Sequence, residues 1–235
     1  MAPQRESHGA AGSEVTSPSA GNHMSRLLAA VYDLWMRPTE AACLSEWRAK
    51  LLATASGDVL EVGAGTGANL DHYPKALSQL VLAEPDAYMR QRLSKRCGAH
   101  GGLRVEVVDA GLEKLPMADE SFDVVVSTLV LCSVPSVEQA LAQVFRVLRP
   151  GGRFYFLEHV AADSTAAFAW QRRVEPLWRF VAGKRHVTRS TERAIEAAGF
   201  EFDVIQREPL RRAVPFIRPS IRGVARKVGR GHLRP

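Results

Sequence analysis

Short apolar runs alternate with stretches of helical period along most of this chain. Strand-like runs occur at Asp58–Val62, Gln79–Glu84, Leu103–Val108, Phe122–Leu131, Arg153–His159 and Phe200–Gln206, with a last one near Ser220–Arg226. Helical patterns fall at Gly67–His72, Ala87–Ala99, Ser136–Leu148 and Ser190–Ala198. Buried strands alternating with helices predict a parallel sheet covered on both faces. The last two strands are joined only by a loop near Pro209–Arg218, so they read as a hairpin. The predicted fold is α/β, a Rossmann-like seven-stranded sheet, mostly parallel with the last strand reversed, and helices on both faces.

Residues 1–23 are rich in Ser, Gly, Ala and Pro and read as a disordered segment. The domain is expected over 24–228. Its first part, 24–56, reads as a helical lid: one helix over Met24–Met36 and a second over Thr39–Ala55, capped by Thr39 and followed by Gly57. Residues 160–187 form an insertion over the cleft, in which Pro176 is expected to start a second short helix. Residues 229–235 are a basic tail.

Chemistry concentrates at Val59-Leu60-Glu61-Val62-Gly63-Ala64-Gly65-Thr66-Gly67. Gly63 and Gly65 allow a tight turn and a close approach of backbone to ligand. Gly67 is expected to open a helix, whose free N–H groups accept an anionic group. Glu84 lies 21 residues after Gly63, where a Rossmann-type fold binds ribose hydroxyls. Gly63 to Ala68 also satisfies the dinucleotide fingerprint G-x-G-x-x-A. Glu61 argues against that cofactor, because a carboxylate there faces a pyrophosphate unfavourably. It suits a ligand with a sulfonium, an ammonium and no phosphates, which describes S-adenosylmethionine (SAM). The plainer reading, in which Glu61 only caps backbone amides, leaves Glu84 unexplained.

The glycine turn and Glu84, with Leu115-Pro116-Met117-Ala118-Asp119-Glu120-Ser121-Phe122-Asp123 and Leu148-Arg149-Pro150-Gly151-Gly152-Arg153, resemble class I SAM-dependent methyltransferases over about residues 57–160. The stretches Thr128-Leu129-Val130-Leu131-Cys132-Ser133-Val134 and Phe154-Tyr155-Phe156-Leu157-Glu158-His159-Val160 carry a narrower likeness. With Val187-Thr188-Arg189 and Arg218-Pro219-Ser220-Ile221-Arg222-Gly223, they resemble the methyltransferase-like family that includes the alkyl-thiol S-methyltransferases.

The four strand ends at Gly63, Glu84, Asp109 and Thr128 should surround one cleft. The resemblance implies that residues matching Asp109 and Ala110 contact the adenine and that Thr128 and Leu129 lie near the methionine part. The expected cofactor contacts are Glu61, Gly63, Ala64, Gly65, Gly67, Asn69, Glu84, Pro85, Asp109, Ala110, Thr128 and Leu129. The mammalian members lack an acid at the position of Asp109, which leaves a loop cap as its other reading. Tyr32, Trp35, Trp170 and Trp178 are expected walls for a lipophilic substrate, against a reading in which they only pack helices onto the sheet. His159, at the end of a strand facing the cleft, is the expected catalytic base. Its other reading is a structural histidine. His186 and Asp33 are weaker choices, and Cys132 reads as core.

Charge and cysteines narrow the setting. The net charge is +6, yet residues 211–235 carry eight basic side chains and no acid, leaving −2 elsewhere. That stretch reads either as a solvated face or as a peripheral contact with an anionic membrane or nucleic acid. Pro215 and Pro219 break any amphipathic helix there. The run Ser127-Thr128-Leu129-Val130 lacks the (N/D)-P-P-(Y/F) tetrapeptide of DNA amine methyltransferases, which argues against a nucleic-acid substrate. Cys43, Cys97 and Cys132 have no metal-ligand spacing, so no metal is expected and a reducing, cytoplasmic setting is. No segment reaches about 20 apolar residues. The mammalian members carry an N-terminal hydrophobic anchor, so their location does not carry over.

The expectation is therefore a SAM-dependent methyltransferase acting on a small, lipophilic molecule, foremost by S-methylation of a thiol. Methylation of a quinone, phenol or lipid amine is the alternative. A non-catalytic SAM-binding regulator is the third reading.

Overall fold

The computed structural model describes residues 36–98, 103–181 and 185–228. Residues 1–23, most of the first expected helix with Tyr32, Asp33 and Trp35, and the tail 229–235 lie outside them.

Seven strands form one sheet: β1 (Asp58–Val62), β2 (Gln79–Ala83), β3 (Val105–Val108), β4 (Phe122–Thr128), β5 (Leu148–His159), β6 (Phe200–Arg207) and β7 (Ser220–Lys227), in the order β3-β2-β1-β4-β5-β7-β6. β7 runs antiparallel to β5 and β6, and the other pairs are parallel. β1, β2 and β4 are buried along almost their whole length, as a sheet covered on both faces must be. The chain winds outward from β1 to β2 and β3, then returns to lay β4 on the other side of β1. That reversal opens a crevice at the carboxyl ends of β1 and β4.

Among the described residues, five α-helices flank the sheet: α1 (Ser45–Leu52), α2 (Ala87–Gly98), α3 (Val137–Val147), α4 (Thr165–Val181) and α5 (Thr191–Ala197). One apolar layer joins Trp47, Leu44 and Leu52 to Val59, Val126 and Leu157. The other joins α3 and α5, through Leu141, Val144 and Ile195, to Leu60, Val125 and Phe156.

Several local readings are corrected. Gly67 opens no α-helix. Its φ of +87° is left-handed, and only a three-residue 3-10 turn follows at Leu70–His72. Pro74 holds Tyr73 extended and stops it. Thr39 caps nothing, because it lies inside helical backbone that runs from Met36 into a π-helical stretch, Glu40–Leu44, and on into α1. α4 runs unbroken through Pro176. β4 stops at Thr128, because Leu129 turns left-handed with φ +60°. The described part of the basic stretch is tied into the fold. Arg211 and Arg222 share Glu208, Arg226 reaches Glu201 and Asp203, and Lys227 Nζ donates to the Leu148 carbonyl at 2.7 Å.

Candidate functional site

A cavity of about 310 Å³ occupies the crevice. Eight of the expected cofactor residues line it: Glu61, Gly63, Ala64, Gly65, Glu84, Pro85, Thr128 and Leu129. The glycine turn is shaped by contact as well as by φ. Gly63 has φ +63°, and a Cβ there would lie 2.6 Å from a Val130 methyl. Gly65 has φ +58° and open space where a Cβ would be, so its backbone is bare toward the cavity.

Glu84 ends β2 and is 5% exposed. Its Oε2 accepts from the Gly65 N–H at 2.7 Å and its Oε1 from the Asp86 N–H at 2.9 Å. The acid of the second strand thus holds the glycine turn and keeps lone pairs for a ligand hydroxyl. Burial pushes its carboxyl above the ordinary value, opposed by those two N–H groups.

Glu61 is buried on the other side of the turn. Asn69 Nδ2 donates to Oε1 at 2.9 Å, and the Tyr73 hydroxyl donates to Oε2 at 2.7 Å. Burial lifts its carboxyl to about 7 despite both donors and the nearby Arg48 charge. Arg48 projects from α1 into the same network, donating from Nη1 to Asn69 Oδ1 at 2.6 Å and to Thr128 Oγ1 at 2.8 Å. Its Nε pairs with Glu40 at 3.1 Å. Arg48 also lines the cavity. Sequence reading missed it, since an arginine in a short helix gives no sign of being buried.

Leu129 is held left-handed by the buried Glu158, a second missed residue. Glu158 Oε1 accepts from Ser127 Oγ at 2.7 Å and from the Val130 N–H at 3.1 Å, and Oε2 accepts from the Leu131 N–H at 3.1 Å. A bulky residue rarely adopts this φ without such over-determination. Burial lifts Glu158 to about 7 as well.

Other expected residues lie elsewhere. Asn69 is fully buried behind Glu61, and Gly67 packs on Leu93 of α2. Asp109 points outward and pairs with Arg90 at 2.8 Å, and Ala110 belongs to the core. The wall at that strand end is Gly111, Leu112 and Glu113, and Met89 also lines the cavity. Trp170 and Trp178 stack edge-on against Phe216, with centroids 5.5 and 5.0 Å apart, and line no part of the cavity.

His159 is not among the residues that line the cavity. It is 5% exposed on β5, opposite Ser220 of β7. Burial, helped by the Arg185 charge, pushes its imidazole down to about 4. His186 Nδ1 is tied to Glu175 at 2.9 Å. Burial pushes the Cys132 thiol up to about 11, which removes it as a nucleophile. Among the described residues, no group of three His, Cys, Asp or Glu side chains could hold a metal ion. Among them also, no helix is long and apolar enough to cross a membrane.

The lining fits a phosphate-free cationic nucleoside and not a dinucleotide. Three carboxylates (Glu61, Glu84, Glu113) face two guanidinium groups (Arg48, Arg185). Past the glycine turn there is no α-helix amino-terminus to receive a pyrophosphate. The bare backbone at Gly65 leaves room for a ligand.

The chain is similar to known methyltransferases in sequence and in fold. A family model described as a methyltransferase domain matches residues 60–156. Thiol S-methyltransferase TMT1A of Homo sapiens is 41% identical over 172 residues, 72% of this chain and 70% of that protein. The ubiquinone/menaquinone biosynthesis C-methyltransferase UbiE of Bartonella tribocorum is 34% identical over 152 residues, 63% of this chain and 52% of that protein. Among solved structures, a geranyl diphosphate methyltransferase in complex with sinefungin superposes with a TM-score of 0.61 at 14% identity. It covers 80% of this chain and 79% of that one, a likeness of fold.

Proposed function

Because the chain belongs to the SAM-dependent methyltransferases, in the family of the thiol S-methyltransferases, we propose that it methylates the sulfur of a small lipophilic thiol. The observation that carries this choice of acceptor is that the described lining offers carboxylates alone as bases, Glu113 beside the engaged Glu61 and Glu84. Among the described residues lining the cavity there is no His, Lys, Cys or Tyr. The buried acids Glu61 and Glu84 are engaged by Asn69, Tyr73, Gly65 and Asp86.

Such a site suits an acceptor that ionises unaided. At pH 7 a thiol of pKa about 8.5 costs roughly 2 kcal/mol to ionise, and a phenol of pKa about 10 roughly 4 kcal/mol. When bound, SAM supplies an electrophilic methyl group on a sulfonium. The acceptor's proton leaves to solvent. Its sulfur then bonds to the methyl carbon as the sulfonium–methyl bond breaks and returns its electron pair to the departing sulfur, giving a thioether and S-adenosylhomocysteine. The protein's part is alignment and exclusion of water. Glu84 is proposed to accept from the ribose hydroxyls, Glu61 to face the cationic methionine end, and Leu129, held by Glu158, to set the wall beside it.

The likeness to UbiE supports a second reading, methylation of a quinol. An acceptor screen with mass-spectrometric detection separates them. A thioether from mercaptoalkanes, with no product from quinols, phenols or amines, is expected. Turnover of quinols alone would replace the thiol reading.

A further inference from the structure

A second cavity, of about 820 Å³, adjoins the cofactor cavity, and Arg48, Thr66, Ala68 and Leu129 line both. It lies where the helical backbone before α1 meets the glycine loop and α2. Its charge is one-sided. Among the described residues, Arg37, Arg48, Arg92, Lys95 and Arg96 line it together with Glu40 and Asp71, a net of three positive charges. Both carboxylates are already engaged, Glu40 by Arg48 and Asp71 by Arg96. Arg37 and Lys95 are exposed at its rim and, among the described residues, make no ion pair. His72, also in the wall, is held below its ordinary value by burial and by the nearby Arg48 charge. Met36 and Leu129 are its apolar walls. A concave site with surplus cations concentrates anions, and guanidinium groups bind carboxylate or phosphate in a fork.

We infer that this cleft is an acceptor subsite for an anionic head group. The favoured acceptors are amphiphiles with a carboxylate or phosphate at the end remote from the reacting atom, which reaches the cofactor cavity across the shared wall. The inference rests on the thiol reading only for the identity of that reacting atom.

The test separates the two. Hexanoate, hexyl phosphate and hexanol, none of them a thiol, are titrated calorimetrically into the full-length protein saturated with S-adenosylhomocysteine. Both or one of the anions should bind about tenfold tighter than hexanol, by an advantage that shrinks with added salt. The tighter anion identifies the head group. In the R37A/K95A double variant the ratio of anion to alcohol affinity should fall toward one. Mercaptohexanoate should likewise show a lower KM than mercaptohexanol, and the same variant should narrow that gap. Equal binding of all three probes by the unaltered protein overturns the subsite, even if thiols are methylated. Preferential anion binding without turnover of any thiol upholds the subsite and overturns the thiol reading.

Discussion

Arg48 Nη1 lies 2.6 Å from Asn69 Oδ1, and that contact fixes which way the Asn69 amide faces. With its oxygen held by the guanidinium, Asn69 must turn Nδ2 toward Glu61 and Thr128. A residue of the amino-terminal helix thereby orients the acid of β1 and the hydroxyl that ends β4. The Arg48→Met variant leaves Glu40, Asn69 and Thr128 without their shared donor. Removing one partner of a buried charged network costs about 3 kcal/mol. A fall in Tm of roughly 6–12 °C is expected for a domain of this size, with weakened SAM binding. An unchanged melting curve would refute the network's role.

Glu61 makes stability and cofactor binding move oppositely with pH. Its folded pKa of about 7 lies above the ordinary 4.5. The folded state is therefore favoured most below the unfolded value, and that contribution is lost as pH rises through about 7. An E61Q variant does not titrate, so between pH 5 and 8 it should gain on the order of 2 kcal/mol relative to the unaltered protein. Glu158 shifts in the same direction but is present in both proteins and cancels. SAM affinity should rise with pH in the unaltered protein as the Glu61 carboxylate forms, and rise less, from a lower level, in E61Q, where Glu84 remains. Parallel denaturation and binding series across pH check both slopes.

The two glycines of the turn should respond differently to alanine. At Gly63 the new methyl meets Val130, a stiff β-branched side chain, at 2.6 Å. With the left-handed strain added, the cost is about 3 kcal/mol. At Gly65 there is no clash, so only about 1 kcal/mol of strain remains, and the methyl enters the space beside Glu84. Gly63→Ala should chiefly lower Tm, and Gly65→Ala should chiefly lower SAM affinity. Equal effects on both measurements would contradict this division.

The sheet was legible because buried parallel strands leave near-continuous apolar runs. Asp58–Val62 agrees to the residue, and Gln79–Ala83 to one residue at its end. The acid-and-glycine pairing was legible too, since Gly65 and Glu84 sit where a strand-turn-strand unit brings them together. Arg48 was not. Its partners Asn69 and Thr128 lie 21 and 80 residues away, and nothing local marks it for burial. Nor was the pairing of Asp109 with Arg90, 19 residues earlier, which leaves Asp109 out of the cavity lining. The helix expected at Gly67 failed on backbone chemistry, between a left-handed glycine and the proline at position 74.

In the proposed function Glu84, which lines the cavity, holds a nucleoside that carries no phosphate. Calorimetric titration of SAM into the full-length protein and its E84A variant tests this most directly. A charge-assisted hydrogen bond of about 1.5–3 kcal/mol predicts at least a ~10-fold loss of affinity in the variant, with no heat from NADH in either protein. Equal SAM affinity in the two proteins, or saturable binding of NADH, would contradict it.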